Sequence, residues 1–88
     1  MEIIKEGNLF ILIENEKRIG KLEHYIHDDY IDAAFIGVVP EYRGTDASKL
    51  LLDRLMRLSD EMNLKIEATC GFMDKWFSKN EPTYLRKS

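Results

Sequence analysis

The residues best suited to chemistry lie in one stretch, Val38-Val39-Pro40-Glu41-Tyr42-Arg43-Gly44-Thr45-Asp46-Ala47-Ser48-Lys49-Leu50-Leu51. It reads as the end of a strand, a polar loop over 41–46 and the start of a helix near Ala47. A loop that runs straight into a helix presents unpaired backbone N–H groups and the positive end of the helix dipole. Together these attract anions, typically phosphates. The same pattern also suits a plain strand-to-helix turn with Thr45 or Asp46 as N-cap.

A second candidate is Cys70, the single cysteine. A thiol of lowered pKa is a nucleophile. Cys70 also shares the apolar parity of Ile66 and Ala68, so it serves equally as a small buried hydrophobe. Tyr84 and Tyr42 are candidate general acids, or packing residues. Glu23 and Glu67 stand on strands, where a carboxylate can act as base, attract a cationic amine or simply meet water. His24 and His27 are three apart, which on a strand places them on opposite faces, so a metal pair is not expected.

The elements that must position these groups follow from periodicity. Leu9 to Ile13 is an apolar run of strand length. The tetrad Glu14-Asn15-Glu16-Lys17 is a hairpin turn. Arg18 to His27 alternates, with Gly20, Leu22, His24 and Ile26 on one face. Tyr30 to Val39 forms a third strand, apolar on both faces at Ala33-Ala34-Phe35-Ile36 as a central strand should be, and Pro40 ends it. Leu51, Leu55, Leu58 and Met62, with Leu52 beside them, make the apolar stripe of a helix from Ala47 to Met62, and Asn63 suits its C-cap. Leu64 to Cys70 alternates again as a strand. Phe72 to Lys79 forms a second helix, with Phe72/Trp76 and Met73/Phe77 at i,i+4. Pro82 stops it, and Thr83 to Ser88 is expected to be frayed or loosely docked. The expected class is α/β (α+β) with a mixed sheet in the order β-β-β-α-β-α. Its helix-linked strands pair in parallel through a right-handed crossover.

Composition bounds the functions. The chain has 88 residues, 44% hydrophobic and 33% charged, which suits a single globular domain over residues 1–88 and excludes a dinucleotide-binding fold or a TIM barrel. The net charge of −3, with basic runs no longer than Lys17-Arg18 and Arg86-Lys87, argues against nucleic acid. One cysteine makes neither an internal disulfide nor a structural zinc site and suits a reducing, cytoplasmic setting. The N-terminus lacks the pattern of a signal peptide, and the longest apolar run falls far short of the roughly 20 residues of a membrane span.

The stretch Val38-Val39-Pro40-Glu41-Tyr42-Arg43-Gly44 followed by Leu51-Leu52 resembles the acetyl-CoA-binding segment of GNAT-superfamily N-acetyltransferases. Leu64-Lys65-Ile66 leading to Cys70, an aromatic helix and Glu81-Pro82-Thr83-Tyr84 resemble the small single-domain members, and the likeness covers about Leu9 to Tyr84. It implies a minimal acyl-CoA N-acyltransferase core that moves an acetyl group from acetyl-CoA to a small amine or a protein amine. It also implies that the loop amides from Arg43 through Gly44, Thr45, Asp46, Ala47 and Ser48 cradle the CoA pyrophosphate. Amides near Val38 and Val39 would polarise the thioester carbonyl and Cys70 would sit beside the acetyl group; with a thioester as substrate, Tyr84 or Tyr42 is the candidate general acid for the leaving thiolate. Two positions depart from the pattern. Asp46 takes the place of the first patterned glycine, and Phe35-Ile36 replaces a His-Thr pair. These departures define the alternative, a catalytically degenerate binding or interaction module of the same fold. A homodimer built on an exposed sheet edge is a further expectation.

Overall fold

A computed structural model describes residues 1–86. Five strands, β1 (Glu2–Glu6), β2 (Leu9–Glu14), β3 (Lys17–Ile26), β4 (Tyr30–Val38) and β5 (Lys65–Ala68), form one sheet in sequential order. Helix α1 (Ala47–Met62) connects β4 to β5, and helix α2 (Gly71–Asn80) follows β5. Short 3-10 turns occupy Pro40–Tyr42 and Pro82–Tyr84. The first four strands are antiparallel and β5 pairs in parallel with β4.

The mixed class is as expected, with one strand more at the edge. β1 pairs with β2 from Glu2↔Ile13 to Glu6↔Leu9. Its segment carries only two apolar residues, Ile3 and Ile4, so it lacks a readable period and is held by the ladder it adds to β2. Asn15 and Glu16 both adopt positive φ (52° and 64°) between paired Glu14 and Lys17. That is the two-residue turn whose twist matches the strands it joins.

One face of the sheet carries the core. Phe10 and Leu12 of β2, Leu22 of β3 and Ile31 and Ala33 of β4 pack against Leu51, Leu52 and Leu55 of α1 and Met73 and Phe77 of α2. The α1 stripe also buries Met56 and Leu58 and leaves Met62 42% exposed. Asn63 closes α1 in the left-handed conformation (φ 54°, ψ 44°). Gly20 lets α1 approach closely. A Cβ there would stand 3.3 Å from Leu51 Cδ1 and 3.2 Å from the Gly37 carbonyl.

Two expectations change. β4 is not covered on both faces, since Phe35 is 44% exposed on the side away from α1. The chain end is docked as far as described. Leu85 is buried and bridges to Ile66, and the Arg86 N–H donates to the Ile66 carbonyl at 2.7 Å. The Arg86 guanidinium lies 4.3 Å from the Tyr30 ring centroid and 3.0 Å from Asp29 Oδ2. Lys87 and Ser88 lie outside the described residues.

Candidate active site

The parallel ladder between β4 and β5 is short, running from Tyr30↔Lys65 to Ala33↔Ala68. At its end the Thr69 and Cys70 N–H groups both donate to the Ala33 carbonyl, at 3.0 and 3.2 Å. The Thr69 hydroxyl donates to Asp32 Oδ1 at 2.7 Å. Beyond that rung the chain turns into α2, while β4 continues to Val38 paired with β3 only. The β4 edge past Ala33 therefore has no strand beside it, and this unpaired edge, facing the start of α2, is the candidate slot.

The register says which amides face the slot. Val38 lies opposite Gly20, and the Val39 N–H donates to the Ile19 carbonyl at 2.8 Å. The Val38–Gly20 pair is thus a non-hydrogen-bonded one, so the N–H and C=O of Val38 point away from β3. Of the two amides expected to polarise a carbonyl, Val38 faces the slot. Val39 is engaged by β3 and corrects that half of the expectation.

The loop after β4 is self-supported. The Tyr42 N–H donates to the Val39 carbonyl at 3.0 Å and Arg43 N–H to Pro40 at 3.2 Å. Gly44 takes φ +79°, a conformation other residues adopt only with strain. The Thr45 hydroxyl donates to the Tyr42 carbonyl and accepts from Ala47 N–H at 3.2 Å. Thr45 thereby does the capping, although Asp46 occupies the N-cap position and its own side chain makes no cap bond. The first intrahelical bond is Leu50 N–H to Asp46 C=O at 2.9 Å. The amides of Asp46, Ser48 and Lys49 consequently have no helical acceptor. Arg43 and Asp46 are exposed at this end. The free amides fit a diphosphate, while the Asp46 carboxylate opposes one.

Cys70 is half-buried at the slot's other wall, as the N-cap residue of α2, with its carbonyl accepting from Asp74 N–H at 2.9 Å. Leu50 in the first turn of α1 and Phe72 in the first turn of α2 are exposed. The sequence signal for both was an apolar residue at the first turn of each helix.

Tyr84 does not join this group. Its hydroxyl donates to Asp60 Oδ2 at 2.9 Å, and that bond raises the phenol pKa. Asp60 stands fourteen residues along α1 from Asp46, about 21 Å at helical rise. Lys65 Nζ also donates to the Thr83 carbonyl, which ties this turn to the start of β5, while Cys70 follows its end. The geometry thus leaves Tyr84 as a clamp at the far end of α1. Tyr42 is half-buried against the core. Glu23 accepts from the Tyr25 hydroxyl, and Glu67 lies 3.9 Å from Arg86. His24 stacks on Phe10 and His27 on Tyr30, and no cluster of three metal-ligating side chains exists among the described residues. No helix among them is long and apolar enough to cross a membrane.

A mixed sheet whose fourth strand is freed from the fifth, with a loop and helix N-terminus at its end, defines an acyl-transferase type of scaffold. Residues 9–87 match the family model of GCN5-related N-acetyl-transferases, and the chain belongs to that family. The fold is similar to the NMR solution structure of a GCN5-like protein from Staphylococcus aureus (TM-score 0.74, 27% identity, covering 94% of this chain and 82% of that one). No curated protein matches the sequence.

Proposed function

We propose that the protein is an acetyl-CoA-dependent N-acetyltransferase acting on an amine. The observation that carries this is the β4 edge, opened at Ala33–Cys70 and ending in a loop with free amides at the start of α1. Acetyl-CoA supplies an activated acetyl thioester. The amides of Asp46, Ser48 and Lys49, with Arg43 and Gly44 shaping the loop, hold its phosphates. The Val38 N–H donates to a carbonyl oxygen lying along β4 and stabilises the negative charge that develops there. Holding thioester and neutral amine side by side supplies much of the rate. Cys70 lines the acetyl end, either as a neighbouring thiol or as a transient acceptor of the acetyl group. The acceptor is a small amine or a protein amine, and a cytoplasmic setting and a homodimer remain part of the reading.

Isothermal titration with acetyl-CoA tests it. Saturable heat with a rise in melting temperature is expected. No heat and no shift at millimolar ligand overturns the reading. A second reading has its own support in Asp46, whose exposed carboxylate stands at the proposed phosphate site. In that reading the fold is kept as a binding module without catalysis.

A further inference from the structure

A groove of about 470 Å³ runs over β2, β3 and β4 on the face away from α1. Leu9 and Ile11 floor it, Phe35 walls it, and Gly37 and Val38 close one end. Phe35 is 44% exposed, so its ring offers apolar contact that the chain itself does not use. A Cβ on Gly37 would lie 3.0 Å from two atoms of that ring, so the missing side chain at 37 is what lets the ring lie along the strand.

The charged lining is cationic. Arg18 is engaged by both carboxylate oxygens of Glu6, at 3.1 and 2.8 Å, which offsets its charge. Lys21 Nζ lies 5.5 Å from the Phe35 ring centroid and makes no ion pair among the described residues. No carboxylate lines the groove. Glu23 stands two residues along the same face of β3, about 7 Å away. An apolar surface beside one unneutralised ammonium, with a carboxylate a short step further, complements a zwitterion with an apolar body.

The stretch from Phe35 to Val39 is shared. It walls this groove, and the free edge of the same strand bounds the slot. We infer that the groove is the acceptor subsite and that it selects hydrophobic amino-carboxylates, the class of the branched and aromatic α-amino acids. This rests on the acetyltransferase reading. The carboxylate pairs with Lys21, the side chain lies on Phe35 and Leu9 above the buried Ile11, and the amine is left toward β4.

The test is a 1H–15N titration of the full chain with L-leucine, then with leucinamide, which lacks the carboxylate. Leucine is expected to shift the amides of Ile11, Lys21, Phe35 and Gly37 saturably in the millimolar range, with leucinamide at least fivefold weaker. Lys21→Glu is expected to lose tenfold or more in leucine affinity and Lys21→Arg to retain it, with the spectrum itself reporting that each variant is folded. Equal binding of leucine and leucinamide, shifts confined elsewhere, or no shifts overturn the inference. A CoA titration of the same samples separates the two readings. CoA binding without leucine binding overturns the subsite and leaves the transferase, whereas leucine binding without CoA binding overturns the transferase and with it the acceptor role.

Discussion

The Cys70 N–H donates to the Ala33 carbonyl at 3.2 Å, and that shared acceptor is the last rung between β4 and β5. Everything proposed for the slot depends on the strands parting there. The rung is a backbone bond, so Cys70→Ala leaves it in place and removes only the thiol. The variant is expected to bind acetyl-CoA within about twofold of wild type. If the thiol carries the acetyl group, the wild type shows an acetyl-sized mass increase that the variant lacks, and transfer falls at least tenfold. Equal transfer rates assign the side chain to packing.

Asp46 is exposed and contributes no cap hydrogen bond, so its charge can be removed at little structural expense. Asp46→Asn is expected to tighten CoA binding about tenfold at low salt, with the gain shrinking as ionic strength rises. Calorimetry at two salt concentrations measures both. A gain that ignores salt would count against charge repulsion as the cause.

Gly20 and Gly37 make opposite demands. An added methyl at Gly20 meets the Gly37 carbonyl and Leu51 Cδ1 at 3.2 and 3.3 Å, both fixed by the sheet and α1. Gly20→Ala is expected to lose about 1–3 kcal/mol in urea denaturation, the usual scale of overpacking. At Gly37 the methyl meets only the Phe35 ring, which can swing out. Gly37→Ala is expected to spare stability and instead reshape the groove, read as a changed leucine affinity.

His24 is 1% exposed, stacked at 4.3 Å on Phe10, and its Nδ1 has no partner. Burial first, then the charges of Lys5 and Arg54, lower its pKa from 6.5. Lys5 pairs across from Phe10 on β1, and the Arg54 guanidinium from α1 lies 4.5 Å from the Phe10 ring centroid. The folded state therefore binds this proton less readily than the unfolded chain. Above pH 6.5 both states are neutral. As pH falls below it the unfolded chain protonates first, so stability declines until the lowered folded value is reached. Melting curves from pH 7.5 to 5 are expected to show a steeper fall for wild type than for His24→Phe. Parallel curves would remove His24 as the cause.

Tyr84→Phe deletes the hydroxyl bonded to Asp60 at 2.9 Å. A loss of about 0.5–1.5 kcal/mol of stability is expected, with CoA binding and transfer unchanged, since this turn lies at the far end of α1. A selective drop in transfer would return Tyr84 to the site.

How much of this was legible depends on range. The hairpin at Asn15-Glu16, the span Ala47–Met62 and the loop from Glu41 to Asp46 all stood in the residue pattern. Each is decided within a few residues, by turn conformation, by helical period or by Pro40 removing a donor. Alternation also placed Phe35 and Ile36 on opposite faces of β4. Period alone does not say what covers a face, and Phe35 stays 44% exposed on the side away from α1.

The sequence by itself determined the order and type of the main elements and the family likeness, because local propensity and motif spacing survive in one dimension. Only the tertiary structure decided the rest. β1 exists because β2 offers it a ladder, and a five-residue segment with two apolar side chains announces nothing alone. Val38 faces the slot and Val39 does not because the β3 register consumes one amide and spares the next. Cys70 lies at the last rung beside β4 and Tyr84 at the far end of α1 because β5 separates them along its length. Those relations join residues dozens of positions apart, such as Ala33 and Cys70, and packing across the sheet sets them.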